Sequence, residues 1–166
     1  VQSAFGDGSV FVGYGVLGGS ASGDDSMTIS SSLKFNFTIN DSTASEDLLV
    51  GLLCSNSTGS GFESLTFTIS GENGTLFNET FQSFDLAEAF FNDNVLDFGI
   101  LSGLVGDDLS STLTFVLSLT ASDASGYDFN FVYGAANSSP VPIPGAVWLF
   151  GSGLAVLTGM RRSRRG

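Results

Sequence analysis

The chain has no histidine and a single cysteine, and its positive charge sits almost entirely at one end. Without histidine there is no usual general base, no histidine-based catalytic triad and no histidine-containing zinc site. Cys54, standing alone, excludes an intrachain disulfide, and its GLLC surroundings read as a small buried hydrophobe. All seventeen Asp and Glu residues lie between Asp7 and Asp128, where Lys34 is the only basic side chain, so this body carries a net −16. A surface this acidic repels nucleic acid and anionic membrane, which removes both from the body's partners. It favours hydration, solubility and diffuse binding of cations.

What the body does have is core material. Charged residues make up 13% of the chain, and sixteen Phe with many Leu, Val and Ile exclude disorder by composition. One acidic domain over residues 1–136 is the natural reading. Its dominant pattern is alternation of period two. In SLKFNFTIN, Ser32 to Asn40, the side chains of Leu33, Phe35, Phe37 and Ile39 fall on one face and those of Lys34, Asn36 and Thr38 on the other, as a half-buried strand requires. Leu65 to Ile69 repeats the device, and Gly71-Glu72-Asn73-Gly74 supplies a turn before Thr75 to Phe81. Leu48 to Cys54, Leu113 to Leu119 and Tyr127 to Tyr133 are further strands, and DLAEAFFN, Asp85 to Asn92, is the one short helix. The glycine-rich opening from Gly6 to Gly23 is an edge strand or a flexible arm. The fold class is therefore all-β, an antiparallel β-sandwich or jelly roll.

Motifs that would carry chemistry fail on their context. Gly13-Tyr14-Gly15-Val16-Leu17-Gly18 matches GxGxxG, but the GSASGDD that follows cannot open the helix a dinucleotide site needs. Asp24-Asp25 and Asp107-Asp108 lack the DxDxDG spacing of a calcium loop and read as solvated turn carboxylates. A glycosidase needs only two carboxylates, yet Glu63, Glu72, Glu79 and Glu88 are scattered over turns and polar faces. The chain reads as non-catalytic, with no cofactor and no metal.

The segment from Ser139 to Gly166 is organised differently. Val141, Pro142, Ile143 and Pro144 form a stiffened element after AANSSP, where the body gives way to a linker, residues 137–144. An apolar run from Gly145 to Met160 follows, with no ionisable residue, about 24 Å long as a helix. That length spans a thin or locally thinned bilayer. Trp148 suits an interfacial anchor, while Gly151, Ala155 and Gly159 recur at every fourth position, with Gly153 among them, as small residues on a helix surface. Arg161, Arg162, Arg164 and Arg165 then form a basic tip, residues 161–166, which the positive-inside rule keeps in the cytoplasm with the body outside.

In VPIPGAVWLFGSGL, the apolar residues after it and the closing RRSRR, this tail resembles the PEP-CTERM family of sorting signals, in its VPxP variant. The resemblance covers the tail alone. It implies export by the secretion machinery, brief anchoring in the inner membrane, and cleavage near the proline motif by an exosortase. It also implies delivery to the surface of a Gram-negative cell that makes exopolysaccharide. Reading Val141-Pro142-Ile143-Pro144 where the commonest form has Pro-Glu-Pro bears on the exosortase subtype. A secretory leader is expected ahead of Val1. A sortase signal would need LPxTG, which is missing, and a GPI signal would not end on arginines.

Asn36, Asn40, Asn56, Asn73, Asn78 and Asn137 head Asn-x-Ser/Thr triplets, six of the nine asparagines. Exposed ones are candidates for glycosylation, although polar faces rich in Ser, Thr and Asn also generate such triplets incidentally. The expected function is a non-catalytic surface or matrix protein associated with exopolysaccharide or with copies of itself, the Gly6 to Gly23 arm adding to a neighbour's sheet. The alternative is a lectin-like module displaying Tyr14, Tyr127 and Tyr133.

Overall fold

The computed structural model describes residue 5 and residues 10–136 other than 24, 42, 107 and 108. Eight strands follow in order, β1 (Val10–Ala21), β2 (Met27–Thr38), β3 (Asp47–Gly59), β4 (Phe62–Gly71), β5 (Gly74–Phe81), β6 (Asn94–Ile100), β7 (Ser110–Ala121) and β8 (Ser125–Ala136), with helix α1 (Phe84–Phe91) between β5 and β6. They form two antiparallel sheets, ordered β1-β8-β3-β6 and β2-β7-β4-β5. First pairs with last, second with seventh, third with sixth and fourth with fifth, as when one long antiparallel ribbon is rolled into two layers.

Alternation places the core. In β7 every second residue from Ser111 to Ala121 is buried, and in β2 Leu33, Phe35 and Phe37 pack onto the core while Lys34, Asn36 and Thr38 are exposed. Phe67, Phe91, Phe115, Phe129 and Phe131 are fully enclosed between the sheets. Each such ring contributes about 1.5–3 kcal/mol by leaving water, and edge-on contacts such as Phe67 with Phe129, centroids 5.0 Å apart at 78°, add to that. A second, smaller cluster joins Phe5 to Leu49 and Ala136, with Val95 and Val132 against it.

Helix α1 covers an end of the sandwich that β6 leaves open. β6 pairs with β3 only from Asp47 to Leu52. Beyond it, α1 begins on Ser83, whose Oγ accepts from the Leu86 amide at 3.3 Å, and buries Ala87 and Phe91 one turn apart. Asn92 then ends the helix, its Oδ1 accepting from the Ser55 amide of β3 at 2.9 Å.

The strands run further than the alternation predicts. β2 starts at Met27 rather than Ser32, and β3 continues through polar Ser55 to Gly59, because β7 and β8 offer partners along the whole length. β6, which the sequence pattern did not announce, holds Asp97 and a Gly99 at φ +77°. The glycine-rich opening is, over residues 10–21, an edge strand paired with β8. Among the described residues no helix is long and apolar enough to cross a membrane. The linker and VPIP element, the apolar run and the arginine tip lie outside the described residues.

Candidate functional site

Among the described residues no three His, Cys, Asp or Glu side chains come close enough to hold a metal ion. Glu63 accepts from Ser26 Oγ at 2.8 Å on the surface, and Glu88 accepts from the Oγ of the half-buried Ser57. Glu72 lies in the β4 to β5 turn and Glu79 on the edge strand β5, both exposed. A pocket of about 170 Å³ opens at the end of the sandwich where β8 finishes, between apolar walls that include Phe37, Leu48, Leu101 and Tyr133.

The GxGxxG stretch lies inside β1, and its glycines have a packing reason. A Cβ on Gly13 would lie 2.4 Å from the Tyr133 ring, and one on Gly15 would lie 2.5 Å from the Phe131 ring. Bare backbone at these positions lets the aromatic residues of β8 slide beneath the edge strand.

The two outward faces differ in chemistry. On the sheet β2-β7-β4-β5 the outward residues of the ladders are almost all Ser, Thr and Asn, with Lys34 as the one charge among the described residues. Their side chains bond across strands: Thr28 with Thr120 at 2.8 Å, Ser30 with Ser118 at 2.7 Å, Thr66 with Thr80 at 3.0 Å. Thr112 donates to Asn36 Oδ1 and Thr68 to Asn78 Oδ1, each at 2.8 Å. The face of the sheet β1-β8-β3-β6 instead carries a polar row around one aromatic residue. Tyr14, 58% exposed, donates its hydroxyl to Asn130 Oδ1 at 2.8 Å. Asn130 Nδ2 donates to Cys54 Sγ at 3.0 Å, and Asn56 Nδ2 donates to Asp128 Oδ1 at 3.2 Å. The row thus sets an exposed ring, two amides and a carboxylate side by side on one sheet face.

Three expectations are corrected here. Tyr127 and Tyr133 are not displayed: both are buried core residues, 2% and 4% exposed, facing inward from β8. Burial pushes both phenols above their ordinary range, so they stay neutral. Cys54 is exposed rather than buried. A bulge in β3 between Leu52 and Cys54 inserts one residue against β8 and reverses the parity, so Cys54 leaves the inward series of Leu48, Val50 and Leu52.

Five of the six triplet asparagines are described, and Asn36, Asn40, Asn56, Asn73 and Asn78 are all exposed. Asn73 sits in the β4 to β5 turn, and Asn40 closes a turn by accepting from the Thr43 amide at 3.1 Å. Asn137 lies outside the described residues, as do the sorting motif, the membrane segment and the arginines.

Asp128 and Asn130 were missed by sequence reasoning as companions of Tyr14. Their outward position follows from the alternation of Tyr127 to Tyr133, but the neighbours they meet depend on which strands flank β8. Comparison with protein-family models finds no match to this chain, and comparison with curated proteins finds none either.

Proposed function

We propose that this chain is an exported, non-catalytic cell-surface or extracellular-matrix protein, sorted and cleaved at its C-terminal signal by an exosortase. Its jelly-roll body then associates with exopolysaccharide or with copies of itself. The observation that carries the reading is the order of proline element, uncharged apolar run and arginine cluster in residues 141–165. A body at −16 beside a tail at +4 agrees with the body crossing the inner membrane and the tip staying behind. The tail also leaves from β8, which is hydrogen-bonded on both sides, to β1 and to β3, so a pull on the tether acts on an interior strand.

Intact mass of the mature protein from its native cell tests the sorting step. Loss of the residues after the VPIP element is expected, and a surface form that retains Arg161 to Arg165 would refute cleavage. Changing Pro142 and Pro144 to Ala is expected to leave the chain in the inner membrane. Normal surface display of that variant would remove the motif from the argument.

Tyr14 favours a second reading, a lectin-like module using the row of Tyr14, Asn130, Asp128 and Asn56. Binding of the full chain to arrayed glycans, abolished by Tyr14→Ala, would put it first. No binding above that variant would exclude it.

A further inference from the structure

Four strands lie at sheet edges, and three of them carry a charge. Lys34 points outward from β2, Glu79 is exposed on the short β5, and Asp97 is exposed on the short β6. Charge, shortness and bulges are how natural sheets keep their edges from pairing with another molecule. β1 departs from this pattern. Its twelve residues, VFVGYGVLGGSA, hold no charge and no proline, and its one irregularity, between Phe11 and Gly13, leaves Gly13 to Ala21 in unbroken register with β8. Among the described residues that ladder is the only backbone pairing β1 makes. Two copies of a body at −16 repel overall, and this edge shares its neutrality with the Ser/Thr/Asn face of the other sheet. Of the two, only the edge of β1 also offers a row of backbone N–H and C=O groups to a second strand.

The sequence of this edge is also complementary to itself. When two copies of β1 run antiparallel about a twofold axis at Val16, Val16 faces Val16 and Gly15 faces Leu17. Tyr14 faces Gly18, and Gly13 faces Gly19. Large residues thus lie over glycines on both faces, and an aromatic residue across from an edge glycine is a favourable cross-strand pair. Tyr14 and Val16 stand on the outward face, 58% and 48% exposed, with Tyr14 bonded to Asn130 of β8 through its hydroxyl.

We propose that the open edge of β1 is a self-association surface, at which a second copy of this chain adds its β1 antiparallel in the register centred on Val16. The two sheets β1-β8-β3-β6 then become one continuous eight-stranded sheet. The contact is isologous and closes as a dimer. This rests on the self-associating form of the function proposed above, with the edge strand kept in its own sheet rather than given away as an arm.

The test uses the full chain in a mild detergent, which keeps the apolar terminal run in solution. In a Cys54→Ser background, Val16→Cys brings two thiols face to face. Antiparallel partners have Cα atoms about 4.5–5.5 Å apart, inside the disulfide range of about 4.4–6.8 Å. Mild oxidation is expected to convert most of that variant to a disulfide dimer, and Met27→Cys, exposed on β2, to give none. Sedimentation of Val16→Lys is expected to show association weakened at least tenfold, and Thr28→Lys, the same charge on the outward face of β2, to leave it unchanged. Wild-type association without any Val16→Cys dimer would overturn the edge assignment while leaving self-association standing. A wild-type chain that stays monomeric, with no dimer from Val16→Cys, would overturn both.

Discussion

Phe129 of β8 is where the two sheets and the helix meet, and truncating it tests the packing directly. Its side chain is fully buried, with ring centroids 4.2 Å from Phe91 of α1, 5.0 Å from Phe67 of the opposite sheet and 5.7 Å from Phe131. Removing a ring enclosed on every side loses both its transfer free energy and the contacts of the atoms left around the hole. Phe129→Ala is therefore expected to cost about 3–5 kcal/mol. A domain of this size has about 5–15 kcal/mol in total. With an unfolding entropy of about 2.1 cal/mol/K per residue over about 130 residues, Tm falls by about 11–18 °C. Phe129→Leu, which refills most of the space, is expected to fall between wild type and the Ala variant. Differential scanning calorimetry reads this without an optical probe, and the single tryptophan, Trp148, lies outside residues 10–136. A loss below about 1 kcal/mol for Phe129→Ala would mean the ring is not enclosed and the β8 register is wrong.

Three further outcomes follow from single positions. Cys54, turned outward by the β3 bulge, is expected to react fully with a thiol reagent in the native protein; protection until denaturation would contradict the bulge. Gly15→Val drives a Cβ to 2.5 Å from the Phe131 ring and is expected to cost about 1–3 kcal/mol. Gly19→Val, whose Cβ meets Ile29 at 3.2 Å, is expected to cost less, and equal urea midpoints for the two would refute the close approach. Asp47, held above the ordinary carboxylate range by burial and then by Asp97, is easier to ionise in the unfolded chain, so the penalty grows as pH rises from 3.8 through its folded value. Asp47→Asn is expected to stabilise at about pH 7 and to match wild type at about pH 3; a gap of the same size at both would be contrary to this.

Alternation made most of the fold legible. Wherever apolar and polar residues alternate cleanly, as in Leu33 to Ile39, Leu65 to Ile69 and Leu113 to Leu119, the strand and its inward face were readable, because one face must leave water. The helix was placed at Asp85 to Asn92, and the structure sets it one residue earlier, at Phe84 to Phe91, on the Ser83 cap. β6 escaped because Asp97 and Gly99 interrupt the pattern of a short strand. Cys54 was assigned to the core because a bulge carries no sequence mark of its own, yet it inverts every later position in β3. Tyr127 and Tyr133 were taken for surface aromatics on the strength of their hydroxyls, although their alternation with Asp128, Asn130 and Val132 already put them on the inward face.

By itself the sequence determined the class of the body, an acidic β-sandwich without histidine chemistry, and the character of its tail, since both depend on composition and local order alone. Tertiary structure decided which strands neighbour which. That pairing is a long-range matter: β1 meets β8 more than a hundred residues away, and nothing local in either strand names the other. From it come the polar row around Tyr14, the glycines that admit the rings of β8, and the uncharged edge of β1.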